Sequence, residues 1–183
     1  MNRFTFLVFM LLPVSVIAGG PVVNFISHDD LVSTVFPASS EVSQQQISID
    51  DSMCDWVEKR FRFRPKPQVV TVWLARDRAS GKLLGGLIKP EVYYQDSPVT
   101  LALGLSDELR VSRAAVVALP EHLRQAFKTS IGVGYLTRYT MMSVRQLSYL
   151  ANVLRKEGQP SALVAEQLFR SGALLAAVIN TTQ

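Results

Sequence analysis

Cysteine is almost missing from this 183-residue chain: Cys54 is the only one. A single thiol excludes an internal disulfide framework, c-type haem attachment and cysteine-based zinc sites, so packing must carry the stability. Cys54 stands beside Asp55 and Trp56, and a neighbouring carboxylate raises a thiol's pKa; it reads as a half-buried, unreactive thiol. Histidine is nearly as scarce. His28 and His122 are the two present, neither in a His-x-x-x-His spacing, and both read as surface residues. A Gly-x-Ser-x-Gly nucleophile elbow is also lacking, which leaves a hydrolase without its usual sequence support. Charge of one sign is in short supply too. Lys and Arg exceed Asp and Glu by four, and by three without Arg3. Such a balance suits an anionic ligand or a peripheral membrane contact and makes no demand for nucleic acid.

Long hydrophobic runs are limited to one. Phe4–Ala18 is apolar, follows Arg3, and ends Val16-Ile17-Ala18 before Gly19-Gly20. Small or Val side chains at the third and first positions before a cut fit the shallow pockets of signal peptidase. The run therefore reads as a signal peptide over residues 1–18, cleaved after Ala18, and the domain as a periplasmic or otherwise extracytoplasmic one. An uncleaved anchor is the alternative, although Pro13 interrupts a run already shorter than the roughly 20 residues needed to span a bilayer. The later runs Val99–Leu105 and Ala173–Ile179 are shorter still. Residues 19–183 make one domain of ordinary size, enough to bury its own core.

The fold expected is α+β, a central antiparallel sheet of four or more strands flanked by N-terminal and C-terminal helices. Ser27 caps a helix over His28–Phe36, with Asp29 and Asp30 in its first turn, and Pro37 ends it. The polar run 38–46 reads as a loop. Ser48 or Asp50 caps a second helix to Lys59, with Met53, Trp56 and Val57 on one face. Strand character follows in Val69–Ala75, Lys82–Val92, Pro98–Leu105 and Leu109–Leu119, with Pro90 marking an edge or an early stop. The short polar turns between them favour hairpins. Pro120-Glu121 opens a short helix to Phe127. Residues 128–139 form a loop leading to a helix from Thr140 to Glu157, with Met141, Val144, Leu147, Ala151 and Leu154 buried and Gly158 as its stop. Ser161 caps a final helix to Asn180, with Gly172 a kink or break. That helix lies in a C-terminal extension over residues 159–183.

Two segments invite a chemical reading. Lys59–Lys66 interleaves Phe61 and Phe63 with five cations. It can grip anionic lipid or a phosphate, or stand as a half-buried strand with aromatics inward and arginines outward; the strand is favoured. Gly132 to Ser143 leads into a helix start, a natural seat for phosphate because unpaired amides converge there, although a hydroxyl at such a position is also an ordinary cap.

Element order and short motifs resemble the FMN-binding domain family of exported flavoproteins, which includes flavin subunits of ion-pumping quinone reductases. Leu31–Pro37 is similar to its Leu-x-x-x-Phe-Pro pattern with one extra residue, Gly81-Lys82-Leu83-Leu84-Gly85 to its Gly-Lys-hydrophobic-hydrophobic-Gly strand, Pro98-Val99-Thr100 to its Pro-hydrophobic-Thr strand, and Pro120-Glu121 to its Glu-bearing loop. The family signature Asp-x-x-Ser-Gly-Ala-Thr falls on Gly134–Thr140. There Gly134 replaces Asp, Thr137 replaces Ser, Arg138-Tyr139 replace Gly-Ala, and Thr140 is retained. The resemblance implies FMN as cofactor, electron transfer to a redox partner in the envelope, and Thr140 as the attachment or phosphate-contact residue. Arg138 would neighbour the phosphate, Thr137, Tyr139 and Ser143 would complete the binding set, and Tyr135 or Tyr139 could stack on the ring. Because the replaced residues are those the flavin-attaching transferase reads, a scaffold that has lost the flavin and acts as a non-catalytic interaction module is the competing reading. Leu174, Leu175, Val178 and Ile179 would then offer a partner or membrane surface, although packing of this helix back onto the sheet is the favoured reading of its apolar residues.

Overall fold

A computed structural model describes residues 20–156 and 160–183; the expected signal peptide and the expected helix stop at Gly158 lie outside the described residues. The fold is α+β. Eight antiparallel strands form one sheet: β1 (Val22–Asn24), β2 (Ser40–Ile49), β3 (Gln68–Asp77), β4 (Leu83–Ile88), β5 (Glu91–Tyr94), β6 (Ser97–Ser106), β7 (Val111–Pro120) and β8 (Gly134–Tyr135). Their order is β1-β7-β6-β4-β3-β2, with β5 continuing the line of β4 along β6 and β8 pairing β7. The segment expected as Lys82–Val92 is thus two strands broken at Lys89-Pro90. Proline has no amide to give a ladder, but its carbonyl accepts from the Leu101 amide at 2.9 Å, so the line continues.

The helices are α1 (His28–Val35), α2 (Asp51–Phe61), α3 (Arg124–Ser130), α4 (Val144–Leu154) and α5 (Ser161–Thr182). Ser27 caps α1 by accepting from the Asp30 amide, and Asp50 caps α2 by accepting from the Met53 amide at 2.9 Å. Helices α2, α4 and α5 cover one face of the sheet, and α1 covers the other. Strand β6 shows the division: Leu101, Leu103 and Leu105 point into the large core under α5, while Ala102 joins Leu31, Val35, Ala75, Leu87 and Ala115 beneath α1. Small residues let α1 sit close. A Cβ on Gly104 would meet Val35 Cγ1 at 2.6 Å.

Several sequence expectations are corrected. Residues 38–46 are mostly strand, because β2 pairs with β3 along its whole length from Ser40↔Asp77 to Ile49↔Gln68. As a terminal strand it is half-solvated on both faces, which is why Ser and Gln suit it and why it resembles a loop in composition. Lys59–Lys66 is not a strand. Phe61 ends α2, Arg62 turns the chain at φ 59°, and Phe63 packs on Phe169 of α5 at 5.9 Å between ring centres. Helix α4 starts at Val144 behind its cap Ser143, not at Thr140, and Met141 is exposed rather than buried. Gly172 does not break α5. It lies where a Cβ would meet Leu103 Cδ2 at 3.1 Å, so its smallness lets the helix approach the sheet.

Helix α5 is apolar and long enough by composition to cross a membrane, but 72% of its most apolar window is buried inside the domain. Leu174, Leu175, Val178 and Ile179 are all in the core. They offer no free face, which removes the surface on which the interaction-module reading rested.

Candidate functional site

The outer edge of β7 is sealed by three separate stretches of chain. Strand β1 pairs with Ala118–Pro120, β8 pairs with Ala115 and Val116, and the Met141 amide donates to the Val111 carbonyl at 2.7 Å. Between the last two anchors the Leu136 amide still donates to the Ala114 carbonyl at 2.8 Å, and residues 137–140 then leave the sheet in a tight turn with a 3-10 helix over Thr137–Tyr139. Gly134 permits this departure at φ 74°, a left-handed conformation that costs glycine nothing.

A cleft of about 440 Å³ lies between that turn, β7 and α1, lined by Thr34, Arg113, Ala114, Tyr135, Leu136, Thr137 and Thr140. Register explains who is present. Arg113 pairs with Gly104 and Tyr135 pairs with Ala115, and both partners face α1, so both side chains project to the α1 side. Tyr135 bridges to α1: its hydroxyl donates to Thr34 Oγ1 at 3.0 Å, and Thr34 donates to the Asp30 carbonyl at 2.7 Å. Among the described residues the hydroxyls of Thr137 and Thr140 make no hydrogen bond within the chain, and Arg113 pairs with no carboxylate, donating only to the Ser112 carbonyl at 2.8 Å. The wall is otherwise apolar.

Of the six residues singled out from the sequence, Tyr135, Thr137 and Thr140 line the cleft. Arg138 is exposed outside its lining. Tyr139 is completely buried in the main core, so its ring has no free face for stacking. Burial pushes its hydroxyl pKa up to about 12, partly offset by the Arg138 charge. Ser143 closes a capping box, accepting from the Gln146 amide while Gln146 Oε1 accepts from the Ser143 amide at 2.8 Å. Thr34, Arg113 and Ala114 come from elements whose register no local pattern reveals.

The backbone accounting decides what this turn can offer. The amides of Tyr139, Thr140, Met141, Met142 and Ser143 donate to Leu136, Thr137, Val111 and Tyr139 carbonyls and to Gln146 Oε1 respectively. No amide in that run is left for a phosphate. The side chains fit a flavin phosphate, with a guanidinium and two uncommitted hydroxyls beside an apolar wall; the backbone adds only the amides of Thr137 and Arg138, which open the 3-10 turn and make no hydrogen bond among the described residues.

Elsewhere, His28 packs at 5.1 Å on Trp73, over which Lys89 Nζ sits at 4.6 Å. His122 Nε2 lies 3.4 Å from Ser97 Oγ, and among the described residues no carboxylate hydrogen-bonds to its imidazole, so no third triad member is in place. Cys54 is buried, and burial pushes its thiol pKa up, Arg64 opposing. No group of three His, Cys, Asp or Glu residues converges as a metal site among the described residues. No protein-family model, curated protein or solved structure matches the chain.

Proposed function

We propose that the chain is an exported, extracytoplasmic flavin-binding protein that holds FMN against Arg113, Thr137 and Thr140 and relays electrons to an envelope partner. The observation that carries the reading is the set of uncommitted polar groups gathered on one wall of a largely apolar cleft, an arrangement suited to a ligand with a flat apolar body and an anionic tail. Arg113 supplies the charged hydrogen-bond donor for the phosphate, and Thr137 and Thr140 supply neutral ones. Tyr135, tied to Thr34, fixes the width of the cleft, and Leu136 and Ala114 exclude water. FMN, when bound, supplies the redox chemistry; the chain supplies placement and electrostatics. With the amides from Tyr139 to Ser143 committed, the seat for the phosphate is made chiefly of side chains.

A second reading is an interaction module on this scaffold that carries no flavin: the commitment of the Tyr139–Ser143 amides supports the loss of the flavin, and a partner would have to dock elsewhere than on the buried residues of α5. One experiment separates the two. The chain is isolated from the envelope fraction and its visible absorbance and intact mass are recorded, followed by titration with FMN and with riboflavin. Flavin binding predicts quenching of FMN fluorescence, weakened about tenfold in Arg113→Gln for FMN but little for riboflavin, which has no phosphate. A colourless chain that quenches neither ligand, and that co-purifies with a stoichiometric protein, would leave the second reading standing.

A further inference from the structure

We propose that a second cleft, lined by Lys59, Arg60, Phe61, Arg62, Arg145 and Ser148, binds a multiply charged phosphate anion. It shares no residue with the flavin cleft and has a volume of about 360 Å³. Four cations meet there, and no carboxylate lines it. Among the described residues none of the four forms an ion pair. The contrast with Arg64 is sharp: that one side chain gathers Asp51, Asp55 and Glu58, three carboxylates of α2, leaving the neighbouring cations without partners.

Two of the four cations stand where local physics disfavours them. Arg62 takes up the left-handed conformation just past α2, at φ 59°, a place where glycine is the unstrained choice. Arg145 lies in the first turn of α4, where the helix dipole repels cations and attracts anions. Lys59 and Arg60, in the last turn of α2, are placed as a helix C-terminus prefers. Both unfavourable placements border the same cleft; an anion seated in it would reverse the electrostatic cost at Arg145 and, by pairing with the Arg62 guanidinium, offset the strain there. Arg60 is steadied over the Trp56 ring at 5.3 Å, Phe61 forms a buried apolar floor, and Ser148 adds a hydroxyl one turn beyond Arg145. Convergent guanidinium and ammonium groups recognise phosphate through charged hydrogen bonds, and several of them select an anion of two or more charges.

The test uses the full chain and inorganic pyrophosphate, followed by calorimetry and thermal unfolding at constant ionic strength, with sodium chloride as the comparator. Pyrophosphate is expected to raise the unfolding temperature where chloride does not. Arg62→Gly and Arg145→Glu should each weaken pyrophosphate binding about tenfold or more. Both substitutions relieve a local cost, so each should leave the free protein as stable or more so, which separates loss of the site from loss of the fold. Lys128→Gln, on α3, should change nothing. Sedimentation with phosphatidic acid vesicles, whose headgroup is a phosphomonoester, identifies the source of the phosphate: retention that pyrophosphate competes away and Arg145→Glu abolishes marks a lipid headgroup, whereas pyrophosphate binding without retention marks a soluble anion. Equal shifts with chloride, or wild-type affinity in both variants, would overturn the proposal.

Discussion

The Tyr135 hydroxyl and Thr34 Oγ1, 3.0 Å apart, join the strand after α3 to the first helix of the domain. This contact spans the cleft and holds α1 against the turn that carries Thr137 and Thr140. Tyr135→Phe keeps the ring and removes the bond. Urea unfolding should show a loss of about 0.5–1.5 kcal/mol, and FMN affinity should fall with it while the far-ultraviolet spectrum stays unchanged.

Tyr139 is expected to behave in the opposite way. Its hydroxyl is buried and has no hydrogen-bond partner among the described residues. An unsatisfied buried hydroxyl costs about 1–3 kcal/mol, so Tyr139→Phe should be neutral or stabilising by about 1 kcal/mol. The titration has a definite sign. The folded-state pKa, about 12, lies above the reference value of 10.0. The hydroxyl's contribution to stability is therefore complete below pH 10 and is lost as pH rises from about 10 through about 12. A tyrosinate absorbance step near pH 12 that Tyr139→Phe removes, with a flatter alkaline stability profile, is the outcome to measure.

Ser143→Ala tests whether this residue is a cap or a ligand contact. Losing the capping box should cost about 1 kcal/mol of stability, read by chemical denaturation, and should leave FMN titrations unchanged. A fall in affinity without a fall in stability would return Ser143 to the binding set.

Gly85→Ala should be among the most damaging single changes. Its backbone has φ 152°, and a Cβ there would stand 2.1 Å from the Leu105 carbonyl oxygen. Backbone cannot yield as a flexible side chain does, so a loss of about 3 kcal/mol or more, or failure to accumulate as folded protein, is expected.

Much of the fold was legible because local signals and tertiary demands agreed. Ser27 and Asp50 cap the helices they precede, Pro90 interrupts a strand line, and short polar turns produce hairpins. The Gly81–Gly85 motif has a physical basis as well, since Lys82 Nζ reaches Asp107 at 3.0 Å and Gly85 is the residue that passes under Leu105. The failures do not all share a cause. Strand β2 is polar because its position at the rim of the sheet asks little of its side chains, and only its pairing with β3 reveals it. Thr140 and Ser143 are both hydroxyl residues before an apolar period, and the local signal that distinguishes them, the Ser143-x-x-Gln146 spacing of a capping box, was not used. Gln146 decides the matter by closing its box on Ser143, while Met141, at φ 66°, turns the chain between them. Helix α5 looked like an appendage because it comes last in the chain. The glycines at positions 86 and 172 are what let it lie in the middle of the core, and their purpose appears only in three dimensions.

The turn over residues 136–140 hangs between two fixed points on one strand, at Tyr135 and at Met141. Its internal bonds are few: Tyr139 to Leu136, Thr140 to Thr137 and Met142 to Tyr139. Lifting it would break those bonds, draw the buried Leu136 and Tyr139 side chains from the core and cost the Leu136 amide its bond to the Ala114 carbonyl, while the β8 pairs and the Met141 bond to Val111 stay in place. Entry to the cleft is thereby largely separated from the integrity of the domain, and the resistance to opening is set by two buried side chains and one backbone bond to β7.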